Sequence, residues 1–199
     1  MTYVKASVRR PAGNPGNGIQ PKDQLVIYDV DDILSFPQRN DAGVVIEDDI
    51  VMKAGRYAIG IYLTPGTAEI SSNSDGETDA EGYTPSVKFN HPGNEQEIRE
   101  FKTNWLSKKC IVVLRYCSGK PADLIGTPCN PCKLSVSYTG SNESNTNELT
   151  FTQISKGDDI AIYRGTDTLE EPVAVVEAGA TDIDYQTDGS TSFPRVRLR

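Results

Sequence analysis

The sequence has few of the residues and motifs on which enzymes and membrane proteins depend. Among its 199 residues there are one histidine, one tryptophan and four cysteines, and apolar residues make up only 37%. No apolar run approaches the ~18 residues that a membrane-spanning helix needs. The sequence also lacks a Walker motif, a G-x-S-x-G and an H-E-x-x-H. We therefore expect neither a membrane span nor a common nucleotide-binding or hydrolase site.

Positive charge is also scarce. The formal net charge is −8 and the sequence pI is about 4.7. A protein that encloses DNA uses Lys and Arg to displace the counterions of the phosphates, so this balance disfavours DNA binding by enclosure. An acidic surface can still matter beside DNA by repelling it, and solubility alone also explains the charge.

The single histidine, His91, is a weak candidate for a catalytic base. Ser–His and Cys–His catalysis both need such a base, but His91 precedes Pro92 and Gly93 and no other catalytic motif accompanies it. We interpret it as a residue at the end of a strand or in a turn.

The four cysteines do not form a metal-binding pattern. Cys129 and Cys132 form one C-x-x-C, but a second C-x-x-C is missing. Cys110 and Cys117 are seven residues apart on a predicted strand, so their side chains point to opposite faces. A redox C-x-x-C begins a helix, whereas this one precedes a strand. We predict packing cysteines, reduced because the N-terminal residues lack the apolar segment of a secretory signal.

The acidic clusters lack the spacing of a known calcium loop. They are Asp29/Asp31/Asp32, Glu47/Asp48/Asp49 and Asp75/Glu77/Asp79. None fits the twelve-residue EF-hand pattern, and we interpret residues 75–79 as a solvated loop. The sequence thus predicts no catalytic residue, no cofactor, no metal site and no enzyme activity.

Composition divides the chain into a core and two arms. Residues 1–23 are rich in Pro and Gly and predict an extended N-terminal arm. Residues 24–164 form the predicted core. Residues 165–199 form a C-terminal extension with a possible strand at 172–176 and a basic tail at 193–199, which either reaches an acidic neighbour or frays.

The core pattern is typical of a mostly-β (α+β) fold. Short apolar or alternating runs predict strands at 25–28, 44–52, 57–63, 68–72, 84–90, 110–117 and 123–126, and a hairpin over 134–153 with a polar tip at 139–148. Residues 73–82 are polar and acidic, and they predict a mobile loop.

One helix is predicted at about 95–108. Asn94 is a good N-cap, and Glu97 follows three residues later. Ile98, Phe101 and Trp105 share one face, which we expect to pack on the sheet.

The order of these elements resembles the tail tube proteins of long-tailed bacteriophages and prophages, and the related tube protein of type VI secretion. The resemblance covers roughly residues 44–163. A strand leads to Pro92-Gly93-Asn94, the helix and a very apolar strand, and then to Ser118-Gly119-Lys120, Gly126–Pro131 (G-T-P-x-N-P) and the hairpin. The sequence looks like the versions carried by phages of gut Bacteroidetes.

The resemblance implies a tail-tube-like β-sandwich or barrel with one packed helix and extended arms. Such subunits form stacked, six-membered rings whose inner strands join into one barrel without free edges. Loops 73–82 and 140–147 and the arms 1–23 and 165–199 would reach neighbouring rings. DNA would pass as cargo through an acidic or neutral channel.

The same resemblance implies a place and a set of partners. The chain would be a structural virion protein of the phage tail, assembled in the cytoplasm of the bacterial host. Its partners would be further copies of itself and tail proteins such as the terminator, tape measure or sheath, with no membrane partner. The alternatives are another tail or head–tail connector component, such as a terminator or hub, and a β-sandwich binding module.

Overall fold

The computed structural model describes residues 5–14, 16–117 and 119–169. It is mostly β, with 45% strand and 8% helix, so the predicted fold class is confirmed. Its strands are β1 Pro21–Asp29, β2 Ile33–Ser35, β3 Val45–Ile46, β4 Val51–Met52, β5 Ile59–Tyr62, β6 Glu69–Asp75, β7 Gly82–Pro92, β8 Cys110–Tyr116, β9 Ala122–Ile125, β10 Cys132–Gly140, β11 Asn145–Gln153 and β12 Ala161–Tyr163; the helix α1 is Gln96–Trp105. The strand predicted at 172–176 and the basic tail lie outside the described residues.

The central sheet has the strand order β5-β1-β8-β9-β12-β3 and is buried on both faces. Leu25 and Ile27 of β1 enter one apolar cluster, whereas Val26 and Tyr28 enter a second cluster on the opposite face. β8 alternates in the same way and has one residue that is not buried, Arg115. Burial on both faces explains why residues 25–28 of β1 and most of β8 form continuous apolar runs.

The outer sheet has the order β10-β11-β7-β6 and is antiparallel throughout. One of its faces packs on the central sheet and contributes Val87, Phe89, Leu134, Leu149 and Phe151 to the first cluster. The two sheets meet where Cys132 of β10 pairs with Cys110 of β8. The fold is thus a sandwich of two sheets around the first cluster, and β10 and β11 form the hairpin that the sequence predicts over 134–153.

The second cluster is covered by β3, β12 and the segments around them. Ile46, Ile50, Ala58 and Tyr163 are buried there. The apolar run predicted at 44–52 is not one strand, because β3 pairs with β12 and β4 pairs with β2 in a separate two-stranded sheet.

Helix α1 lies against the first cluster. Ile98 is buried, and Phe101 and Trp105 pack beside it, which confirms the predicted face. The predicted bounds are wrong, because the helix starts at Gln96 with Glu95 as an N-cap that makes no side-chain hydrogen bond. The Asn94 amide oxygen accepts instead from Lys102 Nζ at 2.8 Å. The helix ends at Trp105, because Lys109 already bonds to Val30 at the entry to β8.

Several predicted loops are shorter in the structure. Residues 73–75 belong to β6, so the polar loop is reduced to 76–81, and the hairpin tip is reduced to 141–144. Polar side chains do not prevent pairing here, because the ladder bonds come from the backbone. At the arms, 21–23 belong to β1, and residues 165–169 contact the central sheet.

Candidate functional site

The outer sheet ends in two strands that have no partner on one side. β6 bonds only to β7, and β10 bonds to β11 and meets β8 only at Cys132. Within the part of the chain that the structure describes, no backbone hydrogen bond reaches the free side of 69–75 or of 133–140. Because an unpaired strand edge is a template for another strand, these two edges are the candidate functional site.

The backbone polarity of both edges follows from the ladders inside the sheet. The Ile154 amide donates to the Pro131 carbonyl at 3.0 Å, and the Gly93 amide donates to the Asn145 carbonyl at 2.9 Å. In an antiparallel ladder every second residue bonds to the same neighbour, so the even-numbered residues of both edge strands turn their backbone groups outward. These residues are Ile70, Ser72 and Ser74 of β6 and Leu134, Val136 and Tyr138 of β10.

The face of the outer sheet that points away from the core is polar. By strand alternation it carries Glu69, Ser71, Asn73 and Asp75; Thr84, Ser86, Lys88 and Asn90; Thr146, Glu148, Thr150 and Thr152; and Lys133, Ser135, Ser137 and Thr139. Hydroxyl and amide groups dominate, with more carboxylates than lysines. Such a face offers no cluster of cations to hold a phosphate backbone.

Two ion pairs lie at the two ends of the β6 edge. Lys88 Nζ lies 3.4 Å from Glu69, and Lys156 Nζ lies 3.1 Å from Asp75. The hydrogen bond from Lys156 holds the pKa of Asp75 below its ordinary value. Both pairs are exposed and contribute little to stability.

Tyr138 connects the β10 edge to helix α1. Its side chain is 47% exposed, and Lys102 Nζ lies 5.2 Å from its ring centroid. Lys102 also donates to the buried Asn147 amide oxygen at 2.6 Å, and Asn147 in turn donates to the Gly93 carbonyl. These contacts hold the aromatic ring at the edge, where one side of it remains uncovered.

On the far side of the central sheet, Asp167 fixes the segment that follows β12. Its carboxylate accepts from the Tyr28 hydroxyl at 2.7 Å and from Arg115 Nε. Burial, and then the neighbouring Asp167, raise the pKa of Tyr28. The segment ends with a bridge between Leu169 and Ala58 beside β5. This cluster holds the fold together at a distance from the two edges.

His91 lies one residue before the end of β7, the strand-end position that the sequence predicts. Its Nδ1 is 2.9 Å from the Tyr62 carbonyl, and its ring meets the Tyr62 ring edge-on. No cysteine or serine hydroxyl is among its hydrogen-bond partners in the described residues.

The cysteines divide into two exposed and two buried residues. Cys117 and Cys129 are exposed, whereas Cys110 and Cys132 are buried, and all four are free. Cys110 is the first residue of β8, whereas Cys117 follows its last residue, Tyr116, so the predicted placement of both cysteines on one strand is wrong. Burial raises the pKa of Cys110 to about 12. The sequence gives no signal that Cys110 and Cys132 are direct partners across two strands.

The acidic clusters make contacts within the fold. Asp29 accepts from Lys108, Arg56 lies 3.4 Å from Asp32, and Arg164 bonds Glu47. Over residues 5–14, 16–117 and 119–169, no group of three or more His, Cys, Asp or Glu side chains is placed to hold a metal ion.

Comparison of the chain with protein-family models, curated proteins and solved structures finds no match. Among the described residues, no helix combines the length and the apolar character needed to cross a membrane.

Proposed function

We propose that this chain is the structural subunit of a bacteriophage tail tube, which assembles into stacked, six-membered rings around a channel for DNA. The observation that carries the proposal is the pair of free edges on a single four-stranded sheet. The tube, the six subunits per ring and the location in the virion tail are inferred from the resemblance in element order. The two edges supply a physical reason for self-assembly.

The strand count makes the two edges compatible with each other. The outer sheet is antiparallel and has four strands, so β10 and β6 run in opposite directions. When β6 of one copy lies beside β10 of the next, the junction is again antiparallel. Repeating this contact around a rotation axis closes a barrel that has no edge left.

The two faces of the outer sheet suit the inside and the outside of such a wall. The apolar face is already covered by the central sheet and α1. The polar face is left to line the channel, where a slightly acidic surface repels DNA and lets it pass as cargo. Further copies and tail proteins such as a terminator, tape measure or sheath are the partners in this proposal, with assembly in the host cytoplasm.

A single-residue variant tests whether the edge drives assembly. Ser72 turns its backbone amide to the free side of β6, so Ser72→Pro removes one edge donor and leaves the β6–β7 ladder intact. Ser72→Ala is the matched control, because both variants lose the hydroxyl that bonds Asp159. We expect rings or tubes for the wild type and for Ser72→Ala, and mostly monomer for Ser72→Pro.

The measurements are light scattering and electron microscopy of the full chain at increasing concentration. A wild-type protein that stays monomeric at high concentration contradicts the proposal. Single rings that never stack favour a terminator or hub over a tube.

A further inference from the structure

We infer that β6 of one copy pairs with β10 of the neighbouring copy in one register, in which Asp75 lies opposite Lys133 and Ile70 lies opposite Tyr138. This inference rests on the proposed function and specifies its contact. Five features of the two edges select the register: their lengths, their backbone polarity, the faces of their side chains, their charges and the stagger of the sheet.

The lengths of the two edges match. β6 has 7 residues, from Glu69 to Asp75. On β10 the edge at Cys132 is occupied by Cys110 of β8, so the free part begins at Lys133. Placing Asp75 opposite Lys133 brings Glu69 opposite Thr139, one residue before the strand ends at Gly140. This register pairs the whole of β6 and leaves only one residue of β10 unpaired.

The backbone polarity agrees with the same register. Its even-numbered pairs are Ile70 with Tyr138, Ser72 with Val136 and Ser74 with Leu134, and all six residues turn their N–H and C=O groups outward. These pairs become the hydrogen-bonded pairs of the new ladder, and the odd-numbered pairs become the non-hydrogen-bonded ones.

Side chains of the same kind meet on the polar face and at one of the three pairs on the core side. On the core side, Ile70 covers the exposed part of the Tyr138 ring. On the polar face, Asn73 meets Ser135 and the Asp75 carboxylate meets the Lys133 ammonium. Opposite charges directly across a strand pair are favourable, and like charges are not. Asp75 and Lys133 are both exposed in the single copy, and the exposed ion pair of Asp75 with Lys156 leaves room for a second cation beside the carboxylate.

The stagger of the sheet fits a closed barrel. Within one copy, Ser135 is level with Glu69, through the pairs Ser135–Thr150, Thr150–Lys88 and Lys88–Glu69. In the inferred register Glu69 faces Thr139, four residues further along β10. A shift of four residues over four strands tilts the strands by about 35°, from a rise of ~3.3 Å and a strand spacing of ~4.8 Å. Closed barrels have tilts of about 35–45°.

The neighbouring registers fit less well. A slip of two residues towards Cys132 lowers the tilt to about 20° and places Ser74 against Cys132, whose edge is already occupied. A slip of two residues in the other direction leaves Glu69 without a partner and separates Asp75 from Lys133.

Disulfide trapping tests the register. The exposed thiols are first removed by Cys117→Ser and Cys129→Ser. Asn73→Cys and Ser135→Cys are then added, at positions that form a non-hydrogen-bonded pair in the inferred register. Within one copy these positions lie on opposite edges and are offset by four residues along the strands, so they are about 20 Å apart, beyond the reach of a disulfide. Any such bond therefore joins two copies.

We expect mild oxidation of the assembled protein to give a ladder of covalent oligomers on a non-reducing gel. The matched control replaces Ser135→Cys by Ser137→Cys, two residues out of register, and we expect at least a tenfold lower yield. Dilute monomer oxidised in the same way should give no ladder.

The outcomes separate the register from the proposed function. If electron microscopy shows rings or tubes, and the Ser137→Cys pair is trapped in place of the Ser135→Cys pair, the register is wrong and the proposed function stands. Rings in which neither pair is trapped also overturn the register. If the wild type forms no assembly at any concentration, the proposed function itself fails.

Discussion

The central sheet and the outer sheet use the same kind of backbone ladder but differ in what covers them. Strand β8 of the central sheet (CIVVLRY) has a partner on each side and apolar clusters on both faces. Strand β6 of the outer sheet (EISSNSD) has one partner and no fully buried residue. The comparison indicates that the stability of a single copy comes from the central sheet and the inner face of the outer sheet, while the β6 and β10 edges remain unpaired.

The largest effect is expected in the central sheet. Leu114 is 1% exposed in β8, and Leu114→Ala should lower the free energy of unfolding by about 2–5 kcal/mol through lost burial and a cavity. Urea denaturation of dilute protein measures this change. The matched control is Ser137→Ala on the polar face of β10, which should stay within about 0.5 kcal/mol. Equal losses of unfolding free energy at the two positions would contradict the view that the central sheet contributes more to stability than the polar face of the outer sheet.

A smaller loss is expected when the buried carboxylate of Asp167 is removed. Asp167→Ala removes the acceptor of the Tyr28 hydroxyl and of Arg115 Nε and leaves the Arg115 guanidinium only the Gly165 carbonyl, at a cost of about 1–3 kcal/mol. Asp167→Asn keeps an acceptor for Tyr28 and should lose less. If Asp167→Ala is as stable as the wild type in thermal unfolding, residues 165–169 do not belong to the stable core.

The smallest effect is a pH dependence at Asp123 in β9. Burial raises the pKa of Asp123, and the Tyr116 hydroxyl, which donates to it, offsets part of that rise. A raised pKa means that the folded state holds the proton more tightly than the unfolded state. The contribution of Asp123 to stability is therefore present at low pH and is lost as pH rises through the raised pKa.

Asp123→Asn has no proton to lose and should not show this loss. The difference in urea midpoint between Asp123→Asn and the wild type should therefore shift in favour of the variant between pH 3 and pH 7. A difference that is constant over this range would show that Asp123 titrates normally.

Local patterns in the sequence predict the parts of the fold that depend on neighbours in the chain. The spacing of Ile98, Phe101 and Trp105 identifies the buried face of the helix, and alternation identifies the hairpin. Asn94 shows the limit of such patterns, because a residue that suits an N-cap is held by Lys102 instead. Where a side chain could bond either of two partners, the packing around it determines which one it bonds.

Contacts between distant strands leave no local pattern. Nothing in the sequence indicates that Cys110 lies opposite Cys132, that Asp167 returns to Arg115, or that Asn73–Asp75 continue a strand. The two free edges are of this kind, since an edge is defined by the strand that is missing beside it. The family resemblance implies that edges are joined between copies, but the structure is needed to say which strands have a free edge.

The polar character of β6 has a consequence for how an assembly would grow. On its side of the junction β6 brings mainly serine, asparagine and carboxylates beside one isoleucine, so little apolar surface is buried there and two copies alone would hold each other weakly. Ring closure adds one more β6–β10 junction without adding a copy. Each subunit is then held in the ring by contacts on both of its edges. Free subunits would persist up to a threshold concentration and would assemble abruptly above it. Complete rings would then be favoured over open, incomplete oligomers.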